Sequence, residues 1–174
     1  MRKTIPQGFL SRQYGILIAL SLDPLSSIVN VNYAVTLMIA GRYPESLAQF
    51  QKVLERDPAF RPGHFYLSQL YAMTGDFADA VSELQKVDLI PGSFSADAQG
   101  YSRLMLSRGS QTDWAYVAVG FALAGDRNKT FEYLEKSFSN ESDELVLCVR
   151  FPVFDLIRSD PRYADLMRRL GLPE

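Results

Sequence analysis

Apolar side chains recur at helical spacing along most of the chain, in runs broken by short polar or turn-forming steps. The pattern predicts helices near 9–21, 27–40, 43–56, 60–74, 77–89, 95–108, 112–124, 127–139 and 162–170. Residues 143–149 are ambiguous, because Leu145-Val146-Leu147 is too short a run to separate helix from strand. The last helix is well marked. Asp160 is a natural N-cap and Pro161 a natural first helical residue. Tyr163, Leu166, Met167 and Leu170 then share one apolar face, and Gly171 with Pro173 ends the run. The predicted class is all-α.

The helical pattern repeats. Ala40-Gly41-Arg42-Tyr43 and Thr74-Gly75-Asp76-Phe77 each close one apolar run and open another, and their glycines stand 34 residues apart. One copy runs over 27–58 with Tyr33, Ala34, Leu37, Ser46, Phe50, Val53 and Asp57-Pro58. The next, over 61–92, puts Leu67, Ser68, Tyr71, Ala80, Leu84 and Val87 in the same slots. A third match holds Trp114, Val117, Ala118, Phe121, Gly125, Thr130, Leu134 and Ser137, without the closing proline.

Each slot has a physical reason. The turn glycine follows a helix end, where a left-handed backbone costs glycine nothing. Ala34, Ser68 and Ala118 are small and are expected to face Ser46, Ala80 and Thr130, so that paired helices approach closely. Phe50, Leu84 and Leu134 are large and fill the gap to the next helix. A period of 34 with small, large and turn residues at these offsets resembles the tetratricopeptide repeat. The resemblance implies an α-solenoid of antiparallel helix pairs in a single domain over 1–174, closed by a C-terminal capping helix.

The remaining segments fit less regularly. Residues 9–24 look like the second helix of a repeat whose first half is missing. Ile16, Ala19 and Asp23-Pro24 are in register, but Arg12 stands where a small residue is expected. The chain therefore begins inside a repeat, either because it starts with a degenerate half or because it is a piece of a longer protein. Met1, Arg2 and Lys3 before Gly15–Leu20 outline a weak secretory leader. The position of Arg12 and the absence of a small-x-small cleavage site favour an ordinary helix instead. Gly109 lies 34 residues after Gly75, with Tyr101, Ser102 and Met105 in first-helix slots. Residues 93–140 thus form irregular repeats: one helix is lost, and the helix at 112–124 serves as a partner twice. Pro91-Gly92-Ser93 reads as a loop into that joint. Residues 141–174 form the cap, whose outer face Arg162, Asp165, Arg168 and Arg169 keep polar.

The C-terminal run Phe131-Glu132-Tyr133-Leu134-Glu135-Lys136, then Phe154 to Tyr163, then Leu170-Gly171-Leu172-Pro173, resembles the end of bacterial tetratricopeptide proteins. In that group the repeats accompany winged-helix regulators, nucleotide cyclases or kinases. The resemblance implies a cytoplasmic, protein-binding scaffold or sensor region.

Composition changes this picture little. A net charge of −2 provides no basic face for nucleic acid. No apolar run reaches the ~18–20 residues of a membrane span. Cys148 is the only cysteine, so an intrachain disulfide is excluded. His64, the only histidine, occupies the slot held by Trp114 in the third match and reads as a packed ring, since a metal site needs several ligands. Asp143-Glu144 suits a helix start. The arginines from Arg150 to Arg169 alternate with Asp155, Asp160 and Asp165, which reads as a self-paired face. No phosphate loop, GxSxG elbow or HExxH motif occurs, so no enzyme, cofactor or metal is indicated.

The expected partner is a protein or peptide, held in an apolar concave groove lined by the first helices. The groove residues are Ile28, Val31, Val35, Met38 and Ile39, then Phe65, Gln69 and Met73, then Val119 and Leu123. None of these is lysine or arginine, so the carboxylate clamp of chaperone-binding repeats is not carried over. Two alternatives stand beside the groove: neighbouring helices cover its side chains, or the chain is the self-associating end of a larger signalling or transcription-regulating protein.

Overall fold

The computed structural model describes residues 7–88, 93–108 and 113–173, with side chains from Gly15 onward except that of Asp88. The described residues form helices and no strands. In order they are α1 (Gln7–Leu22), α2 (Ser27–Ile39), α3 (Tyr43–Arg56), α4 (Arg61–Thr74), α5 (Phe77–Asp88), α6 (Ala98–Ser107), α7 (Trp114–Leu123), α8 (Arg127–Ser139), α9 (Asp143–Cys148) and α10 (Pro161–Arg169). A 3-10 turn at Pro152–Leu156 precedes α10. This is an all-α helical repeat of the solenoid class. Backbone contacts divide it into two units, Met1–Leu67 and Ser68–Glu174.

In the first unit α2 packs on α1 and on α3. Ala34 and Ser46 are fully buried in this pair, as are Phe50 and Val53. Gly63 allows a second close approach: a Cβ there would lie 2.9 Å from Leu54 Cδ2.

In the second unit the order of packing is α5 on α6, α6 on α7 and α7 on α8. The α7 helix also touches α9 and the 3-10 turn at Pro152–Leu156, so it lies at the centre of this unit. Its closeness to α6 depends on Gly120, where a Cβ would stand 3.2 Å from Ser102 Cα. Ser68, Ala80, Ala118 and Thr130 are all buried, as are Leu84 and Leu134. The expected Pro91-Gly92 loop and the turn at Gly109 lie outside the described residues.

Turn chemistry sets the helix boundaries. Gly41, Gly75, Gly125 and Gly171 all have positive φ, between 66° and 90°. At Gly41 the amide donates to the Met38 carbonyl and the Arg42 amide to Leu37, the paired bonds of a Schellman end. Glu141 makes the same turn after α8 with φ 53°, although it is not glycine. Its amide donates to Phe138 and that of Ser142 to Ser137.

Two helix starts differ from the sequence reading, and one ambiguous stretch is resolved. The α6 helix starts at Ala98 and not near 95, because the Asp97 carboxylate caps it by accepting from the Gly100 amide at 2.6 Å. The α7 helix starts at Trp114 because Asp113 accepts from the Ala115 amide at 2.8 Å. The ambiguous stretch at 143–149 is helical, started by Ser142, whose hydroxyl accepts from the Glu144 amide.

Candidate functional site

The groove residues fall into register slots, counted back from each turn glycine. Val35, Gln69 and Val119 stand six residues before Gly41, Gly75 and Gly125, and Ile39, Met73 and Leu123 stand two before. These two slots behave differently. Val35, Gln69 and Val119 are buried, at 5%, 0% and 0% exposure, and so are Val31 and Met38. Ile39, Met73 and Leu123 are half-buried, as is Phe65, and Ile28 is exposed. Of the residues expected to line the groove, Val31, Val35, Met38, Gln69 and Val119 are thus covered within the chain. The α2 helix is apolar nearly all round, and such a helix is covered on several sides. In the first unit the partly accessible residues of the set are Ile28, Ile39 and Phe65. In the second they are Met73 and Leu123.

Gln69 is polar in a slot that holds valine in the other two repeats. Its Nε2 lies 3.9 Å from Met105 Sδ, and its Oε1 is buried without a hydrogen-bond partner among the described residues. Tyr101 is fully buried close by, with its hydroxyl 3.4 Å from Ser68 Oγ. Burial raises the Tyr101 phenol well above its ordinary range. The Tyr101 hydroxyl thus reaches α4, while Ser102 donates to the Ala98 carbonyl within α6. These groups hold α6 in place and make no contact with solvent.

Sequence reasoning missed two features of the second unit. The first is an aromatic ladder on α7 and α8. Phe121 stacks on Tyr133 with centroids 5.2 Å apart and planes 4° apart, and Trp114 lies 5.7 Å from the same ring. Lys136 sits 4.3 Å from the Tyr133 centroid and Lys129 4.9 Å from that of Phe121. Residues 114 and 121 are one heptad apart, so the spacing was visible, but the meeting with Tyr133 required the fold. The second is Asp113. Besides capping α7, it accepts from Ser137 Oγ at 2.8 Å and from the Ser142 hydroxyl. One carboxylate thus joins the starts of α7 and α9 to the end of α8.

The candidate chemical groups all have structural roles. His64 donates from Nε2 to the Pro58 carbonyl at 2.8 Å. Cys148 is fully buried, and desolvation followed by the nearby Glu144 and Asp113 pushes its thiol well up, away from reactivity. Glu144 accepts from the Tyr116 hydroxyl at 2.6 Å. Arg158, Arg162, Arg168 and Arg169 pair with Asp155, Asp160, Asp165 and Glu135. Two of these arginines also tie the cap to α8: Arg162 lies 4.1 Å over Phe131 and Arg169 4.1 Å over Phe138. Hydrogen bonds from Arg162 hold the Asp160 carboxyl down to about 2. Among the described residues no group of three or more His, Cys, Asp and Glu side chains could hold a metal, and no helix is long and apolar enough to cross a membrane.

Residues 19–99 match a protein family described as tetratricopeptide repeat. The matched span runs from the end of α1 to the start of α6 and includes both regular repeats. Repeats of this family generally mediate protein–protein interaction and are generally not catalytic. No curated protein matches the chain.

Proposed function

We propose that the chain is a protein-binding scaffold that takes hold of a partner segment through the half-exposed apolar ends of its first helices. Each unit offers its own contacts: Ile39 and Phe65 in the first, Met73 and Leu123 in the second. The observation that supports this reading is the recurrence of one slot. Two residues before each turn glycine, all three repeats keep a large apolar side chain partly open to water. Four residues earlier, the corresponding slot is buried in all three. A single exposed apolar residue is ordinary on a protein surface. The same residue type, half-open at the same register position in three copies, is what a repeated contact needs.

The occupant is an apolar peptide or helix, because these slots carry no charge to recognise a carboxylate or a phosphate. On this reading the chain is the binding region of a bacterial, cytoplasmic assembly of the kind its C-terminal run resembles. The test is amide exchange on the chain with a captured partner bound. Exchange should slow around the Gly41, Gly75 and Gly125 turns. Slowing confined to α10 would contradict the proposal.

A further inference from the structure

The exposed large apolar side chains of the described residues are not scattered. All but Leu156 fall between Leu17 and Ile28: Leu17, Ile18, Leu22, Leu25 and Ile28, with Leu22 80% and Leu25 73% exposed. One explanation is that α1 has lost the helix that would precede it in a complete repeat. The register argues against that for the first three. With α1 read as a second helix, Ile16 and Ala19 correspond to Phe50 and Val53, the inward slots. The same shift of 34 places Leu17 on Gln51, Ile18 on Lys52 and Leu22 on Arg56. The repeat over 61–92 has Gln85, Lys86 and Ile90 at these positions, and the third match has Glu135, Lys136 and Asn140.

The Ile18 slot faces water in all three later second helices, whereas the Leu17 slot is exposed at Gln51 and half-buried at Gln85 and Glu135. Gln51, Lys52, Arg56, Lys86, Lys136 and Asn140 are exposed. Leucine and isoleucine there are therefore not core side chains stripped of a partner helix. They are apolar residues on the face that the other repeats give to solvent, which is the mark of a contact surface.

We propose that Leu17, Ile18 and Leu22, continued by Leu25 and Ile28, form a pairing surface for a second copy of this chain, stripe against stripe about a two-fold axis. Charge selects this occupant. A two-fold pairing brings each residue against the same set on the partner copy, so any charge in the stripe would meet its like. From Gly15 to Leu22 there is no ionisable residue, and Asp23, the one charge between Leu22 and Ile28, is engaged in the turn, where it accepts from the Ser26 amide at 3.1 Å. The equivalent outer faces of the other second helices carry Lys52, Lys86 and Lys136, which an uncharged stripe cannot match. The five exposed side chains offer on the order of 600 Å² per copy. Complete cover of these side chains on two copies would bury at most about 1,200 Å², the lower end of the range for specific interfaces. The pairing does not depend on the half-exposed slots near the turn glycines.

The test is sedimentation equilibrium of the full chain up to roughly 100 µM, a range suited to a small interface. The parent should approach twice its chain mass of 19.6 kDa. Ile18→Lys with Leu22→Arg installs the residues that the next repeat carries in these slots. That variant should keep its helical circular dichroism and its melting temperature and should sediment as a monomer. If it loses helicity, Leu17→Gln alone is measured, with an expected weakening of association of at least tenfold. A monomeric parent overturns the proposal, as does a folded variant with unchanged association. Flotation with vesicles of mixed neutral and anionic phospholipids covers the rival occupant. A parent that floats as a monomer while the variant does not would assign the stripe to a lipid surface and overturn the second copy. Aspartate at Ile39, Met73 and Leu123 should leave the mass unchanged, which separates this pairing from the proposed partner contacts.

Discussion

Ser46 Oγ donates a hydrogen bond to the Ala34 carbonyl at 2.8 Å, directly across the α2–α3 pair. Both residues are fully buried, so two small side chains meet across the helix pair. Ser46→Ala should cost about 0.5–1.5 kcal/mol, the net worth of one such bond. Ala34→Leu should cost about 1–3 kcal/mol by overpacking the crossing. Urea denaturation of the two variants checks both values. A leucine tolerated at no cost would mean that the helices do not touch there.

Asp113 joins three elements, and its loss should be felt in all of them. Asp113→Ala removes the cap of α7 and leaves Ser137 and Ser142 without their acceptor. The expected loss is about 2–3 kcal/mol. Asp113→Asn keeps an oxygen for the Ala115 amide and should lose clearly less. Equal losses for the two variants in chemical denaturation would show that the cap contributes little.

Glu141 occupies the left-handed position that glycine holds after α2, α4, α7 and α10. A left-handed conformation costs an L-residue about 1–2 kcal/mol. Part of the relief given by glycine is offset by its freedom in the unfolded chain. Glu141→Gly should therefore stabilise by about 0.5–1 kcal/mol, read as a higher melting temperature. A lower one would mean that the Glu141 side chain makes a contact worth more than the strain.

Gln69 carries a buried carbonyl oxygen with no partner among the described residues. Replacing it by an apolar residue of similar length removes that penalty. Gln69→Met should leave stability unchanged or raise it by about 1 kcal/mol. A loss of more than about 1 kcal/mol would show that the amide is hydrogen-bonded in solution, for example to water.

Much of the fold was legible because the repeat writes each helix pair three times. The turn glycines Gly41, Gly75 and Gly125, and the small–large alternation of Ala34, Ser46 and Phe50, locate helices and crossings without coordinates. The starts of α6 and α7 were misplaced because Asp97 and Asp113 were counted as helix residues and not as caps. The groove was the least legible part. On a helix as apolar as α2, periodicity cannot separate a side chain covered by neighbours from one that is open. Val35 and Ile39 read alike in sequence, yet only Ile39 keeps part of its surface in water. The outer stripe of α1 was written in the register, where Ile18 aligns with Lys52, Lys86 and Lys136. It stands out only when apolar residues are compared slot by slot.

The central claim is that partners are held by the half-exposed slot before each turn glycine. The direct test is quantitative affinity capture by the parent and by a chain carrying Ile39→Asp, Met73→Asp and Leu123→Asp, each confirmed as folded by its melting curve. Each aspartate sets an unpaired charge against an apolar contact, which is costly wherever water is excluded. The variant gives up the buried part of three apolar side chains and should melt below the parent while keeping its helical circular dichroism, and it should lose the proteins that the parent retains. A folded variant that captures the same proteins in the same amounts would contradict the claim.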